Sequence, residues 1–221
     1  MSGRLEGAGR RLARVATDAA VARPALWNVF RPVLRAQFDR LAPTWEERRS
    51  GEETELLEAA FATLAREPTR ILDVGTGTGR GARFAARRFP AAEVVGVDMS
   101  VRMIEEARRL VPPDLDGRVR FLVADASALP FPDGSFDLLT LLNMIPFFHE
   151  LGRVAGEDAA LVFASSSGPE TPIYVSPAKL RAALAPLGFD RFRDVAGGGG
   201  TALVATRSPR DRASTRTRRS P

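Results

Sequence analysis

The stretch Ile71-Leu-Asp-Val-Gly-Thr-Gly-Thr-Gly-Arg80 constrains the fold of this chain more than any other. Ile71, Leu72 and Val74 make the short apolar run of a buried strand, and glycines at 75, 77 and 79 follow at once. Arg80 to Arg88 then spaces Ala82, Phe84, Ala85 and Ala86, with Phe89 beyond, as a helix does. Strand, glycine turn and helix form the opening half of a βαβ nucleotide-binding unit, in which backbone N–H groups at the helix N-terminus face the ligand. Glycine allows positive φ and leaves no Cβ to block the approach.

Two ligands suit such a loop. Read from Gly77, the segment Gly-Thr-Gly-Arg-Gly-Ala fits the dinucleotide fingerprint, and Asp98 follows Gly79 at close to the spacing of a ribose-binding acid. That keeps an NAD(P)-dependent oxidoreductase in view. Asp73, inside the strand end, turns the pattern into D-x-G-x-G-x-G. A carboxylate there repels a pyrophosphate and suits a cationic ligand. This pattern resembles motif I of the class I S-adenosylmethionine-dependent methyltransferases.

Three further motifs extend the resemblance. Val94-Val-Gly-Val-Asp-Met-Ser100 resembles the family's second strand, and Met103, Ile104, Ala107 and Leu110 continue it as a helical stripe. Val119-Arg-Phe-Leu-Val-Ala-Asp125, then Ala128-Leu-Pro-Phe-Pro-Asp-Gly-Ser-Phe-Asp137, resembles the third strand, the adenine loop and the entry to the fourth strand. The Leu-Pro-Phe and Ser-Phe-Asp pair is similar to the type 11 branch, which includes ubiquinone- and menaquinone-pathway C-methyltransferases. Phe38-Asp-Arg-Leu-Ala-Pro-Thr-Trp45 resembles that branch's Y-D-x-x-A-x-x-Y/W-D leader, whose aromatic residues close over the cofactor's methionine end.

The resemblance runs from about Phe38 to Arg207. It implies an α/β, Rossmann-like, doubly wound sheet of seven strands, mostly parallel with the last strand antiparallel, helices on both faces and extra N-terminal helices. It also implies S-adenosyl-L-methionine as cofactor. Gly75, Thr76, Gly77 and Gly79 would wrap it, with Asp73 at the methionine end, partly through water. Asp98 would accept from two ribose hydroxyls, Met99 would pack on the adenine, and Asp125 would accept from the adenine amino group beside Ala126. Asn143 would meet the methionine amino group through its backbone or its amide. Taken singly, Asp98 and Asp125 read equally well as turn or helix caps, and Met99 as core filling.

Length suits one well-buried α/β domain. The reading divides the chain into an N-terminal helical lid or extension (1–50), a cofactor-binding domain (51–207) and a disordered basic tail (208–221). From Arg207 onward six arginines and one aspartate account for the whole net charge of +5, leaving the body neutral. A nucleic-acid partner, or RNA as methyl acceptor, therefore has little support. The chain has no cysteine and one histidine, so no metal site is expected. Arg14 and Asp18 interrupt what would be the apolar core of a secretion signal, and no run approaches membrane-spanning length. A cytoplasmic protein, monomer or homodimer, is expected, with at most weak membrane-surface contact through its N-terminal helices.

The remaining elements are expected as follows: helices over 1–22, across the Leu26–Leu41 segment, and from Gly51 to Ala65; a fourth strand Phe136–Leu142; a fifth strand Asp158–Ser165 entered through a turn at Ala155–Asp158. Ser176 should cap a helix to Leu187, and strands Phe189–Val195 and Thr201–Thr206 should form a hairpin, the last lying between the fifth and sixth. His149 is the candidate general base, by its position at the active-site edge. Trp27, Phe38, Trp45, Phe147, Phe148 and Tyr174 are candidate contacts for a small apolar or aromatic acceptor. A methyltransferase-like binding protein without catalysis is the remaining alternative.

Overall fold

The computed structural model describes residues 2–48 and 52–208. Its centre is one seven-stranded sheet: β1 (Arg70–Val74), β2 (Glu93–Asp98), β3 (Val119–Val123), β4 (Phe136–Leu142), β5 (Ala155–Ser165), β6 (Arg191–Gly197) and β7 (Gly200–Thr206). The order is β3-β2-β1-β4-β5-β7-β6. Strands β1 to β5 pair in parallel, and β7 is antiparallel to both neighbours, β5 and β6. The strand order reverses between β1 and β4, and ligands of such sheets bind beyond the carboxyl ends at that switch point.

A parallel strand covered on both faces must be apolar on both. Ile71, Leu72, Val94, Val95, Leu138 and Leu139 are accordingly buried whichever way they point. On one face α3 (Glu52–Phe61), α4 (Arg80–Arg88) and α5 (Val101–Arg109) pack Leu56, Ala82, Ala85, Ile104 and Ala107 against Ile71, Val94 and Leu138. On the other, α1 (Ser2–Ala22), α2 (Trp27–Leu41), α6 (Phe148–Val154) and α7 (Pro177–Leu184) bring Ala16, Trp27, Leu34, Leu151 and Leu184 to Leu72, Val95 and Leu139. The outward side of α2 and the turn before it leaves Leu26, Val29 and Val33 exposed. No helix among the described residues is long and apolar enough to cross a membrane.

Three expectations change. The helix read as Gly51–Ala65 ends at Phe61, with Gly51 outside the described residues. Beyond Phe61 the Thr63 N–H reaches back only three residues to the Ala60 carbonyl, and the Thr63 hydroxyl donates to that same oxygen at 2.8 Å. The turn expected at 155–158 is strand instead: Ala155 pairs with Phe136, a bulge separates Phe136 from Leu138, and Arg207 donates to the carbonyls of Ala155 (3.1 Å) and Gly156 (2.7 Å). The helix capped by Ser176 stops at Leu184 and finishes as a 3-10 turn over Ala185–Leu187. Pro186 has no N–H and crowds the carbonyl four residues back. The basic tail expected from 208 lies outside the described residues beyond Ser208.

Candidate functional site

The glycine turn follows β1 directly, and its amides face inward. The N–H groups of Gly75 and Thr76 donate to the Val97 carbonyl (2.8 and 2.9 Å), and that of Gly77 donates to Asp98 Oδ2 at 3.0 Å. These three amides bind β2 and its terminal acid. The turn passes through positive φ at Gly75 (70°) and Gly77 (55°). A Cβ on Gly75 would lie 2.4 Å from Met144 Sδ, and one on Gly77 would lie 3.3 Å from Trp45 Nε1. Side chains from β4's exit and from the N-terminal leader therefore approach to backbone contact, where only glycine leaves room.

Asp73 braces this turn from below. Its carboxylate is 3% exposed and accepts from the hydroxyls of Thr76 (2.6 Å) and Thr140 (2.7 Å), with the Ala82 amide as a further donor. Thr140 stands opposite Asp73 in the β1–β4 register, which is why it reaches. Burial pushes the Asp73 carboxyl up, against these three hydrogen bonds. Asp98 ends β2 and accepts from the amides of Gly77 and of Ser100 (2.9 Å). Burial is the main cause of its rise to about 6, opposed by those amides and reinforced by the charges of Asp73 and Asp39. Met99 packs partly buried on the adjoining core, and Ala126 is buried there.

Asp125 stands two residues beyond β3. Its Oδ1 accepts from the Ser127 amide (2.9 Å), the Ser127 hydroxyl (2.8 Å) and Trp27 Nε1 (3.0 Å); Oδ2 accepts from Arg31 Nη1 at 2.7 Å and, more weakly, from the same indole at 3.2 Å. Burial raises this carboxyl, but the donors outweigh it and hold it below the ordinary range. The loop that follows is clamped by Glu150 and Arg153 of α6. Glu150 accepts from the Leu129 amide (2.7 Å), while Arg153 donates to the carbonyls of Phe131 (2.7 Å) and Leu129 (2.9 Å).

The segment from α2 to Glu46 lies across all three loops. Asp39 accepts from the Ser100 hydroxyl at 2.6 Å, at the N-cap of α5. Glu46 accepts from the Thr78 hydroxyl and, at 2.9 Å, from Arg80. Desolvation alone would raise Glu46, but Thr78, Arg80 and Arg83 bring it below its usual value. The aromatic candidates gather as pairs. Trp27 meets Phe147 edge-on at 5.1 Å and Phe38 meets Trp45 edge-on at 5.8 Å, while Phe148 lies 6.4 Å from Phe163. Tyr174 is half-buried in the 166–175 connection. Beside it, Met144, Pro146, Phe163, Ile173 and Val175 line a cavity of about 20 Å³, room for one water.

Two further candidates lie at the rim. Asn143 has φ 54°, and its amide is spent on the start of the 166–175 connection: Nδ2 donates to Ser166 Oγ and Oδ1 accepts from the Ser166 amide, both at 2.9 Å. It shapes the rim with its side chain. His149 is the second residue of α6, with its side chain 89% exposed and Glu150 Oε1 3.6 Å away. That ring faces solvent. Among the described residues no cluster of three or more histidine or acidic side chains is set to hold a metal. Sequence reasoning passed over Arg31, Met144, Glu150, Arg153 and Glu46. Glu46 had a signal, since it occupies the final acidic position of the leader pattern that ends Trp45-Glu46, and Met144 and Glu150 lie in the Asn143–Glu150 segment at the active-site edge.

The comparisons with known proteins agree with this geometry. Residues 71–160 match the family described as a methyltransferase domain. A demethylmenaquinone methyltransferase from Thermus thermophilus is 46% identical over 100 residues, 45% of this chain and 44% of that protein. A malonyl-[acyl-carrier protein] O-methyltransferase from Halorhodospira halophila is 35% identical over 153 residues, 65% of this chain and 51% of that one. The chain thus spans about half the length of these curated relatives. A solved SAM-dependent methyltransferase structure from Aquifex aeolicus shares the fold with a TM-score of 0.61 at 21% identity, covering 78% of this chain and 97% of that one. Residues 71–160 thus match a methyltransferase domain, and the chain shares its fold with a SAM-dependent methyltransferase.

Proposed function

We propose that this chain transfers a methyl group from S-adenosylmethionine to a small, apolar or aromatic acceptor by in-line displacement. The observation that carries the reading is the gathering of Asp98, Asp125 and the Asp73-braced glycine turn at the carboxyl ends of three adjacent strands. Carboxylates only accept hydrogen bonds, so this edge suits a ligand bringing hydroxyls, an amine and positive charge. It does not suit a diphosphate. The three loop amides tied to Val97 and Asp98, and the Glu46 carboxylate beside Thr78, argue the same way against NAD(P).

S-adenosylmethionine, when bound, supplies a methyl group already activated by positive sulfur. The chain's own residues would hold and orient. Asp98 would accept from the ribose hydroxyls and Asp125 from the purine amino group, with Met99 and Ala126 against the purine. Gly75 and Gly77 would admit the sulfonium end, and Asp73 and Thr76 keep the turn in shape. Rate enhancement then comes chiefly from alignment of the two reactants. Trp27, Phe38, Trp45, Phe147, Phe148 and Tyr174 are the side chains proposed to meet the acceptor. The relatives' names, demethylmenaquinone and malonyl-[acyl-carrier protein], support an acceptor that is a small molecule or a carried acyl group.

A screen for S-adenosylmethionine consumption with quinol, phenol, polyketide-like and malonyl-thioester acceptors tests this, with Asp98→Ala as control. Turnover with one acceptor class, lost in the variant, is the expected result; turnover that survives the substitution unchanged would falsify the proposed site. Tighter binding of NADH than of S-adenosylhomocysteine would favour the oxidoreductase reading instead. A second reading, a methyltransferase-like binding protein, draws on the solvent-facing His149. Tight S-adenosylhomocysteine binding with no turnover on any acceptor class would support it.

A further inference from the structure

Asp125 is held by the chain's own α2. A carboxylate offers about four lone-pair positions. Here Ser127 supplies two donors from the same turn, and Trp27 and Arg31 supply the others from α2, 98 and 94 residues away in sequence. A purine amino group arriving at Asp125 therefore meets an Oδ1 with three donors and an Oδ2 held by Arg31 at 2.7 Å. The two α2 donors differ in how firmly they are seated. Trp27 is 2% exposed beneath Phe147, whereas the Arg31 side chain is 44% exposed. Arg31 is the donor that can leave without opening the core.

We propose that Arg31, backed by Trp27, is a latch that holds α2 on Asp125 and that the purine end of the cofactor must displace. This rests on the cofactor reading above. Purine binding and release of the Arg31 contact become one equilibrium. The apparent affinity is the intrinsic affinity reduced by the fraction of molecules with the latch open. The other anchors of the segment, Asp39 on Ser100 and Glu46 on Thr78 and Arg80, sit on different loops and stay in place when Arg31 leaves. The Arg31 side chain therefore swings away while Trp27 and Leu34 keep the helix itself on the core.

The test is titration of the full chain and its Arg31→Ala variant with S-adenosylhomocysteine and, separately, with adenosine. Loss of a charged, half-exposed competitor should tighten both ligands by about three- to tenfold, equally, because the latch acts at the purine end. Raising ionic strength should tighten binding to the wild type and leave Arg31→Ala unmoved, since salt screens the exposed pair. Wild-type binding that is unchanged or weakened in Arg31→Ala overturns the latch and makes Arg31 a spectator or a ligand contact. No binding to either protein overturns the cofactor reading itself, and the latch with it. A gain for S-adenosylhomocysteine without one for adenosine also overturns the latch.

Discussion

At Asp98 two demands meet on one carboxylate. It shapes the glycine turn by accepting from the Gly77 and Ser100 amides, and it is the proposed acceptor for the ribose. Burial raises it to about 6, above the roughly 3.9 of a carboxyl in an unfolded chain. The folded protein therefore takes up this proton more readily than the unfolded one, so ionised Asp98 weakens the fold above pH 6. That cost is relieved as pH falls from 6 towards 4. Ligand binding goes the other way, since a protonated carboxyl loses acceptor capacity. S-adenosylhomocysteine affinity should fall below pH 6 while the Asp98 contribution to melting temperature rises, and Asp98→Asn should flatten both relative to wild type. Gly75→Ala separates strain from crowding. It should destabilise by about 1–3 kcal/mol in urea titration. Adding Met144→Ala should recover only part, because the contact at 2.4 Å is relieved and the positive φ is not.

Among the elements, α5 shows how a local signal and a distant one converge. Ser100 is a legible N-cap, and its oxygen accepts from the Met103 amide at 3.1 Å. Its hydroxyl hydrogen goes to Asp39, 61 residues away, which no local rule foresees. Ser100→Ala removes both bonds and should cost about 1–2 kcal/mol by chemical denaturation, while Asp39→Asn should cost less by keeping the cap. β5 makes the same point in reverse. Its start, Ala155–Asp158, looks like a turn by composition, yet strand pairing with Phe136 and the Arg207 guanidinium extend it. Strand limits set by a partner are invisible in the strand's own residues.

For the molecule as a whole, the N-terminal helices share a core with the sheet. Trp27 and Leu34 belong to the same buried cluster as Leu72, Leu139 and Phe147. Trp27→Ala should therefore lower stability by about 3–5 kcal/mol in a single transition seen by heat or denaturant. A separate early transition, with the main one unmoved, would show instead that residues up to about 50 melt as an independent lid.

The glycine turn, the acids ending β2 and following β3, the parallel strands and the antiparallel last strand were all legible in the linear chain. The turn and the acids rest on neighbours close in sequence, an apolar run, a glycine where φ is positive, an acid at a strand end; the strand directions came with the family resemblance those motifs carry. The division of labour among the acids was not legible. Asp73, Asp98 and Asp125 are one residue type at similar strand ends. Folding made the first a buried brace for Thr76 and Thr140, the second a half-buried acceptor with a raised pKa, and the third a carboxylate held by Trp27 and Arg31. The partners that set those differences lie up to 98 residues away and meet only when helix and sheet close on a common core.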